Sequence, residues 1–153
     1  MLKSRNKMNR KEYAGKISPE LIEEGTQVLI DFEKLKKVAA SPDPVVPVAV
    51  QDNKTKEILI IAYANEQALR HTLEHKVATF WSTSRQELWV KGMTSGDQLN
   101  IVGVYVNCEQ NSLLYVVEMV GKGSCHTKKE DGQTRFGCYY RRISDGKLVF
   151  TDQ

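Results

Sequence analysis

Apolar and polar residues alternate along much of the chain after position 45, a pattern typical of β-strands with one buried face. The longest alternating run covers residues 99–108, in which Val102, Val104 and Val106 share one face with Cys108. Successive side chains of a strand point to opposite faces of a sheet. We therefore predict that Cys108 lies on the inward face of this strand, together with the valines.

Shorter β-rich runs surround this strand. They predict further strands over residues 46–51, 57–62, 78–82, 87–91 and 112–120. An Asp-Asn-Lys-Thr segment at residues 52–55 indicates a hairpin between the first two. A last hairpin is predicted between residues 139–143 and 148–150, around a Ser-Asp-Gly-Lys segment.

One segment has helical instead of alternating spacing. Ala68, Leu69, Thr72 and Leu73 recur at the period of a helix face, directly after Asn65, a preferred N-cap residue. This segment is the principal predicted helix.

Near the N-terminus, Ser18, Pro19 and Gly25 have the positions of a cap, a first turn and a stop, and they predict a short helix. Residues 28–32 predict a short strand. The predicted fold class is α+β, mostly antiparallel β-sheet with one principal helix.

Prolines at positions 42 and 44 interrupt regular structure and predict a linker. We therefore expect three regions. Residues 1–17 form a basic flexible tail, residues 18–44 an N-terminal extension and linker, and residues 45–153 the main domain.

The formal charge of +3 comes from the tail. Without the five basic residues of positions 1–11, 17 basic residues of the original 22 remain against 19 acidic ones, so the rest of the chain is close to neutral. A solvated terminus is therefore favoured over an arm that binds nucleic acid. The longest apolar run, residues 58–64, is too short to span a bilayer, and no secretory signal is recognisable. We expect a cytoplasmic protein with reduced cysteines and no membrane contact.

The three cysteines are the first candidate for chemistry. Cys108, Cys125 and Cys138 are separated by sixteen and twelve residues and form no Cys-x-x-Cys motif. Thiolates suit zinc, and three protein ligands with an open fourth position are typical of catalytic zinc. The spacing equally permits buried, inert thiols.

The second candidate is the segment 81–96, which combines two tryptophans, several hydroxyl residues, Arg85, Lys91 and two glycines. Cations, hydroxyls and backbone N–H groups are the ligands that a phosphate monoester requires. The alternative is that the tryptophans belong to the core and that residues 94–96 form an ordinary turn.

Taken in order, segments from Asp31 to Arg142 resemble the phosphoribosyl-AMP cyclohydrolase family of histidine biosynthesis. The matching segments are residues 31–35 (Asp-Phe-Glu-Lys-Leu), 47–52 (Pro-Val-Ala-Val-Gln-Asp), 62–66 (Ala-Tyr-Ala-Asn-Glu), 68–69 (Ala-Leu), 80–82 (Phe-Trp-Ser), 84–85 (Ser-Arg), 88–89 (Leu-Trp), 91–92 (Lys-Gly), 94–96 (Thr-Ser-Gly), Cys108, 125–127 (Cys-His-Thr) and 138–141 (Cys-Tyr-Tyr-Arg).

The resemblance implies an intertwined homodimer with zinc at the subunit interface. Cys108 of one subunit and Cys125 and Cys138 of the other would be the ligands. The implied reaction is hydrolytic opening of the purine ring of N1-(5-phosphoribosyl)-AMP between N1 and C6 by zinc-activated water. His126 would transfer the proton as the catalytic residue, or would only hold the metal site by a hydrogen bond. The implied substrate-binding residues are Trp81, Ser82, Ser84, Arg85, Lys91, Thr94, Ser95 and Gly96.

The chain departs from the family pattern at charged positions. Where the family has Asp-Cys-Asp-x-Asp, whose aspartates hold magnesium, this chain has Asn107, Glu109 and Asn111 around Cys108. Loss of two formal charges predicts a degenerate magnesium site, with severely weakened binding of Mg²⁺. Thr83 and Val90 replace family arginines, and about six residues are inserted within residues 128–137.

Three hypotheses follow from these departures. The chain catalyses the family reaction, or it is a zinc hydrolase for another purine-type nucleotide or nucleobase. In the third hypothesis it is a non-catalytic, zinc-stabilised dimer that binds a nucleotide.

Overall fold

The computed structural model describes residues 8–152, so Lys3, Arg5 and Lys7 of the predicted basic tail lie outside the described residues. Two compact units are present: residues 40–139 form one, and the residues up to Ala39 together with those from Tyr140 form the other. The helices are α1 (Pro19–Glu24), α2 (Lys34–Ala39) and α3 (Glu66–His75), with a 3₁₀ turn at Arg10–Glu12. The strands are β1 (Val46–Asp52), β2 (Ile58–Ala64), β3 (Thr79–Ser82), β4 (Glu87–Val90), β5 (Leu99–Val106), β6 (Leu113–Met119), β7 (Arg141–Ser144) and β8 (Lys147–Phe150).

A four-stranded sheet in the order β2-β1-β6-β5 forms the centre of the unit of residues 40–139. All its neighbours are antiparallel except β1 and β6, which are parallel. Strands β3 and β4 form a separate antiparallel pair. The fully buried side chains of Val48, Val50, Tyr115, Val117 and Phe80 lie in the core that these elements share. The predicted α+β class with mostly antiparallel strands is confirmed.

The principal helix α3 begins and packs as the sequence predicts. The side-chain oxygen of Asn65 accepts a hydrogen bond from the N–H of Ala68 at 2.9 Å, which satisfies one unpaired donor of the first turn. The buried Thr72 hydroxyl donates to the carbonyl of Ala68 at 2.9 Å and accepts from the N–H of Thr79 at 3.1 Å. Thr72 therefore joins α3 directly to β3.

Strand β5 differs from the prediction. Its pairing with β6 is irregular between Ile101 and Gly103, so Val102 has no partner across the ladder. Such a bulge shifts the alternation by one residue. Ile101 and Val104 consequently pack against the core, whereas Val102 is 53% exposed. The strand also ends at Val106, and Cys108 is exposed in the following turn. The prediction that Cys108 points inward is wrong.

The other unit contains α1 and the β7–β8 hairpin, and both predictions are confirmed there. Asp145 and Gly146 both have positive φ angles, 49° and 75°, as a tight two-residue hairpin turn requires. The guanidinium of Arg141 donates to the carbonyls of Gly25 and Ile22 at 2.8 Å and 2.7 Å, which satisfies carbonyls at the end of α1.

The predicted strand at residues 28–32 is wrong, because only isolated bridges occur at Gln27 and Ile30. Helix α2 was not predicted, since only Val38 of its residues is buried and no apolar stripe marks it. None of the helices within residues 8–152 is long and apolar enough to cross a membrane.

Candidate active site

A cleft of about 540 Å³ opens in the unit of residues 40–139. It brings the turn that follows β4 together with the segment that begins at Cys125. The predicted site residues on its wall are Arg85, Lys91, Thr94, Ser95, Cys125 and His126. The two candidate stretches of the sequence, which lie about thirty residues apart, therefore share one cavity.

The turn after β4 is shaped by two glycines. The N–H of Gly96 donates to the carbonyl of Gly92 at 2.8 Å, and both residues have φ angles near +80°. A Cβ atom at Gly92 would lie 2.2 Å from the carbonyl carbon of Asp97, so only glycine fits there. The turn thereby presents the exposed residues Thr94 and Ser95 to the cleft, and the Ser95 hydroxyl oxygen also accepts from the N–H of Asp97 at 3.3 Å.

The opposite wall is built from two segments that run side by side. The N–H groups of Ser124 and Cys125 both donate to the carbonyl of Arg135 at 3.1 Å, and the N–H of Arg135 donates to the carbonyl of Thr127 at 3.2 Å. The N–H of Cys138 donates to the carbonyl of Leu59 in β2 at 2.8 Å. These bonds bring Cys138 next to Cys125, although twelve residues separate the two cysteines.

The thiols of Cys125 and Cys138 share a hydrogen bond, and that bond lowers the pKa of Cys125 to about 5. Thr127 adds two further bonds to the Cys125 sulfur, from its hydroxyl at 3.0 Å and its N–H at 3.5 Å. The same shared proton raises the pKa of Cys138, and burial raises it further. Among the two sulfurs, the thiolate form is therefore favoured at Cys125 and the protonated form at Cys138.

Lys91 places a positive charge beside this pair. Its side chain is only 6% exposed, and its charge favours the thiolate form of Cys138. The ammonium also lies 6.0 Å from the ring centre of Trp89, within the range of a cation–π contact. A buried lysine is costly to desolvate, so a partner of opposite charge is expected beside it.

The remaining predicted binding residues are not among the residues that line the cleft. Trp81 packs against the core, and its indole Nε1 is buried without a hydrogen-bond partner within residues 8–152. The Ser82 hydroxyl accepts from the backbone N–H and the Nε of Arg85 at 3.3 Å each, and it lies 3.4 Å from the hydroxyl of Ser84. Contact of Trp81, Ser82, Ser84 and Gly96 with substrate stays a prediction.

Cys108 does not join Cys125 and Cys138 within one chain. Asp97 of the cleft precedes β5 and Asn107 follows it, and the eight residues of that strand span roughly 26 Å. In the described part of the chain, no three His, Cys, Asp or Glu residues come together to hold a metal. The sulfurs of Cys125 and Cys138 suit zinc by their chemistry, and the Thr127 N–H that donates to Cys125 would orient one of them. The two cysteines supply two ligands, whereas a catalytic zinc site needs three from the protein.

Sequence reasoning missed three polar residues of the cleft: Asp97, Lys128 and Thr134. Lys128 and Thr134 are bridged to each other at the base of a small hairpin formed by the inserted residues. Its turn has Gly132 at a φ of +82° after Asp131. The Asp-Gly pair at 131–132 was the sequence signal for this hairpin.

Comparison with known proteins identifies the family of the chain. The family model for phosphoribosyl-AMP cyclohydrolase matches residues 60–140. A phosphoribosyl-AMP cyclohydrolase of Archaeoglobus fulgidus is 44% identical over 104 residues, which cover 68% of this chain and 90% of that protein. One from Hyphomonas neptunium is 45% identical over 101 residues, 66% of this chain and 72% of the relative.

A histidine biosynthesis bifunctional protein of Aquifex aeolicus is 36% identical over 112 residues, 73% of this chain and 52% of that longer protein. The region that the family model matches contains most of β2, all of β3 to β6, the residues that line the cleft and all three cysteines. The chain therefore belongs to the phosphoribosyl-AMP cyclohydrolase family, whose members are hydrolases that act on a cyclic amidine C–N bond.

Proposed function

We propose that this chain hydrolyses N1-(5-phosphoribosyl)-AMP, opening its purine ring between N1 and C6, as a zinc-dependent homodimer in histidine biosynthesis. The observation that supports this most is the shared cleft, whose wall carries hydroxyl and cationic groups together with Cys125 and His126. A phosphorylated substrate and a hydrolytic centre would meet in that space.

The charge of the cleft suits a substrate with two phosphoryl groups. Arg85, Lys91 and Lys128 line it, against one acid, Asp97. Lys128 comes from the inserted hairpin and supplies a cation in a chain that has Thr83 and Val90 where the family has arginines. The hydroxyls and N–H groups of the Thr94–Ser95 turn add the hydrogen-bond donors that phosphate oxygens accept.

Zinc would be held by Cys125 and Cys138 of one chain with Cys108 of a second chain. Bound there, it would supply a Lewis acid that polarises water. The lowered pKa of Cys125 favours the thiolate that a metal ligand must be. The proposal includes a homodimer because Cys125 and Cys138 of one chain supply only two of the three sulfur ligands.

His126 follows Cys125 in the chain and lines the same cleft. Its imidazole would take a proton from the attacking water and deliver it to N1 as the N1–C6 bond breaks, since one ring nitrogen of an imidazole can accept a proton and later donate it. The same chemistry requires reduced thiols, which a reducing compartment such as the cytoplasm maintains.

The test is a direct turnover assay. Purified zinc-loaded protein is given N1-(5-phosphoribosyl)-AMP over a range of magnesium concentrations, and ring opening is followed by its ultraviolet absorbance change. A Cys125→Ser protein, which we expect to lose zinc, is the blank. Turnover that vanishes in the blank supports the proposal.

Absence of turnover from folded, zinc-bearing protein would contradict the family reaction. Thr83 and Val90 then favour a second candidate, a zinc hydrolase for another purine-type nucleotide, because a site with fewer arginines suits a substrate with fewer phosphoryl groups. A screen of purine nucleotides with the same blank would identify it.

A further inference from the structure

The turn between β5 and β6 contains Asn107, Glu109 and Asn111 on either side of Cys108, and we call residues 107–111 the amide loop. Its residues are exposed, and it closes with a backbone bond from the N–H of Gln110 to the carbonyl of Asn107 at 3.0 Å. Its polar side chains are bonded to one another and to the loop backbone.

Asn107 is oriented by the backbone. Its side-chain oxygen accepts hydrogen bonds from the N–H groups of Asn111 and Ser112, both at 2.9 Å. Backbone N–H groups only donate, so the atom that faces them must be the oxygen. The amide nitrogen of Asn107 therefore has to point the other way.

The orientation of Asn107 then determines the next two side chains. The Asn107 nitrogen donates to the side-chain oxygen of Asn111 at 2.6 Å, which turns the Asn111 nitrogen toward Glu109. That nitrogen donates to a carboxylate oxygen of Glu109 at 3.0 Å. Each N–H donor thus faces an acceptor oxygen, and the hydrogen bonds run in one direction, from Asn107 to Asn111 to Glu109.

This arrangement does not fit a magnesium ion. Magnesium requires oxygen ligands in near-ideal octahedral geometry, and it strongly favours carboxylates. In the amide loop, the side chains of Asn107 and Asn111 each direct an N–H donor toward a neighbouring side chain, and Glu109 supplies the one carboxylate. An aspartate at position 107 would place a second oxygen 2.6 Å from the oxygen of Asn111, which a cation or a proton would have to separate.

We propose that the amide loop is closed by its own hydrogen bonds in place of a divalent cation, and that it holds Cys108 in position without magnesium. The N–H groups of Asn107 and Asn111 take the place that a cation has among three carboxylates. The consequence for catalysis, turnover that does not depend on magnesium, rests on the proposed function. The structural part does not depend on it.

The experiment compares the wild-type protein with Asn107→Asp/Asn111→Asp and with Gln110→Glu. Gln110→Glu adds one negative charge to the same loop, against two in the double variant, and leaves all four side-chain bonds intact. It therefore shows what an added charge does when the bonding is unchanged. Magnesium chloride is titrated by calorimetry, and amide hydrogen exchange at residues 111 and 112 is measured with and without magnesium.

We expect no saturable magnesium binding to the wild type or to Gln110→Glu at concentrations up to about 10 mM. The double variant should bind one ion with a Kd of roughly 1 mM or tighter. Without magnesium, a carboxylate at position 107 can still accept from the N–H groups of residues 111 and 112, but repulsion among the three carboxylates of the double variant should open the loop. Exchange at positions 111 and 112 should therefore be roughly threefold faster than in the wild type, and magnesium should restore the slow rate.

Saturable binding to the wild type that Asn111→Ala abolishes would overturn the proposal, even if the double variant does not fold. A folded double variant that binds no magnesium would also overturn it. Both measurements are independent of turnover. A protein that lacks cyclohydrolase activity but shows the expected exchange pattern would therefore contradict the proposed function and leave the amide loop as described.

Discussion

The cleft and the amide loop differ in how their polar groups are satisfied. In the cleft, Lys91 is buried beside a thiol pair, and the Thr94–Ser95 hydroxyls face a cavity of about 540 Å³. In the loop, Asn107, Glu109 and Asn111 bond to one another at 2.6 to 3.0 Å. Burial of a charge is costly unless a partner compensates it, whereas bonded amides need no further ligand. The contrast teaches how to recognise a ligand site. Polar groups that face open space indicate such a site better than the types of its residues do.

The largest effect on chemistry is expected at His126. His126→Gln keeps a polar side chain of similar size but cannot carry the proton, so kcat should fall by roughly 10²- to 10⁴-fold. The control is zinc content, which should stay unchanged because the cysteines are untouched. Steady-state kinetics with metal analysis provides the measurement. A kcat within twofold of the wild type would assign His126 a purely structural role.

The glycines of the turn after β4 offer a matched pair for stability. Gly92→Ala should cost roughly 3 kcal/mol of unfolding free energy, since its Cβ would lie 2.2 Å from the Asp97 carbonyl carbon at a φ of +78°. Gly96→Ala has the same backbone strain, but no atom lies within 4 Å of its Cβ, so it should cost only about 1 kcal/mol. Urea denaturation of both variants gives the difference, and equal losses would show that strain alone decides.

A substitution of Lys91 tests whether this buried charge serves substrate binding more than it serves the stability of the fold. Lys91→Met keeps the length of the side chain but removes a buried charge that lies beside the Cys125–Cys138 pair. The relief of desolvating the lysine and the loss of its attraction to the sulfurs oppose each other, so we expect little change in thermal stability. Because the charge beside Cys138 and the substrate is lost, kcat/KM should fall by about 10- to 100-fold. Thermal melts and kinetics on the same sample separate the two. A variant that loses stability and activity together would contradict a binding role for this lysine.

The smallest effect concerns the inserted hairpin. Lys128→Ala should raise the KM for the phosphorylated substrate by roughly threefold to tenfold with kcat nearly unchanged, because an exposed cation contributes about 1 kcal/mol to phosphate binding. Lys122→Ala is the control, since that exposed lysine is not part of the cleft wall. Thr83→Arg in the Lys128→Ala background should lower KM again if position 83 reaches the same phosphoryl group. Equal KM values for the two alanine variants would exclude Lys128 from binding.

Much of the local structure could be predicted because it depends on neighbouring residues. Asn65 caps α3, the turn at Asp145 and Gly146 defines the last hairpin, and the β-rich runs became strands with ends shifted by a few residues. The resemblance also named six residues that line the cleft. Helix α2 could not be predicted, because a helix that buries a single side chain shows no periodic pattern of apolar residues in the sequence.

By itself, the sequence determined the strands, the principal helix, the turn chemistry and the family motifs, since each depends on residues within one short window. Only the tertiary structure decided which face of β5 is buried, because the bulge at Val102 arises from its pairing with β6. Tertiary contacts also place Cys138 beside Cys125, through bonds to β2 and to Arg135, and leave Cys108 at the far end of β5. Such contacts depend on residues that are distant in the chain, so the pattern of apolar and polar residues within one segment cannot predict them.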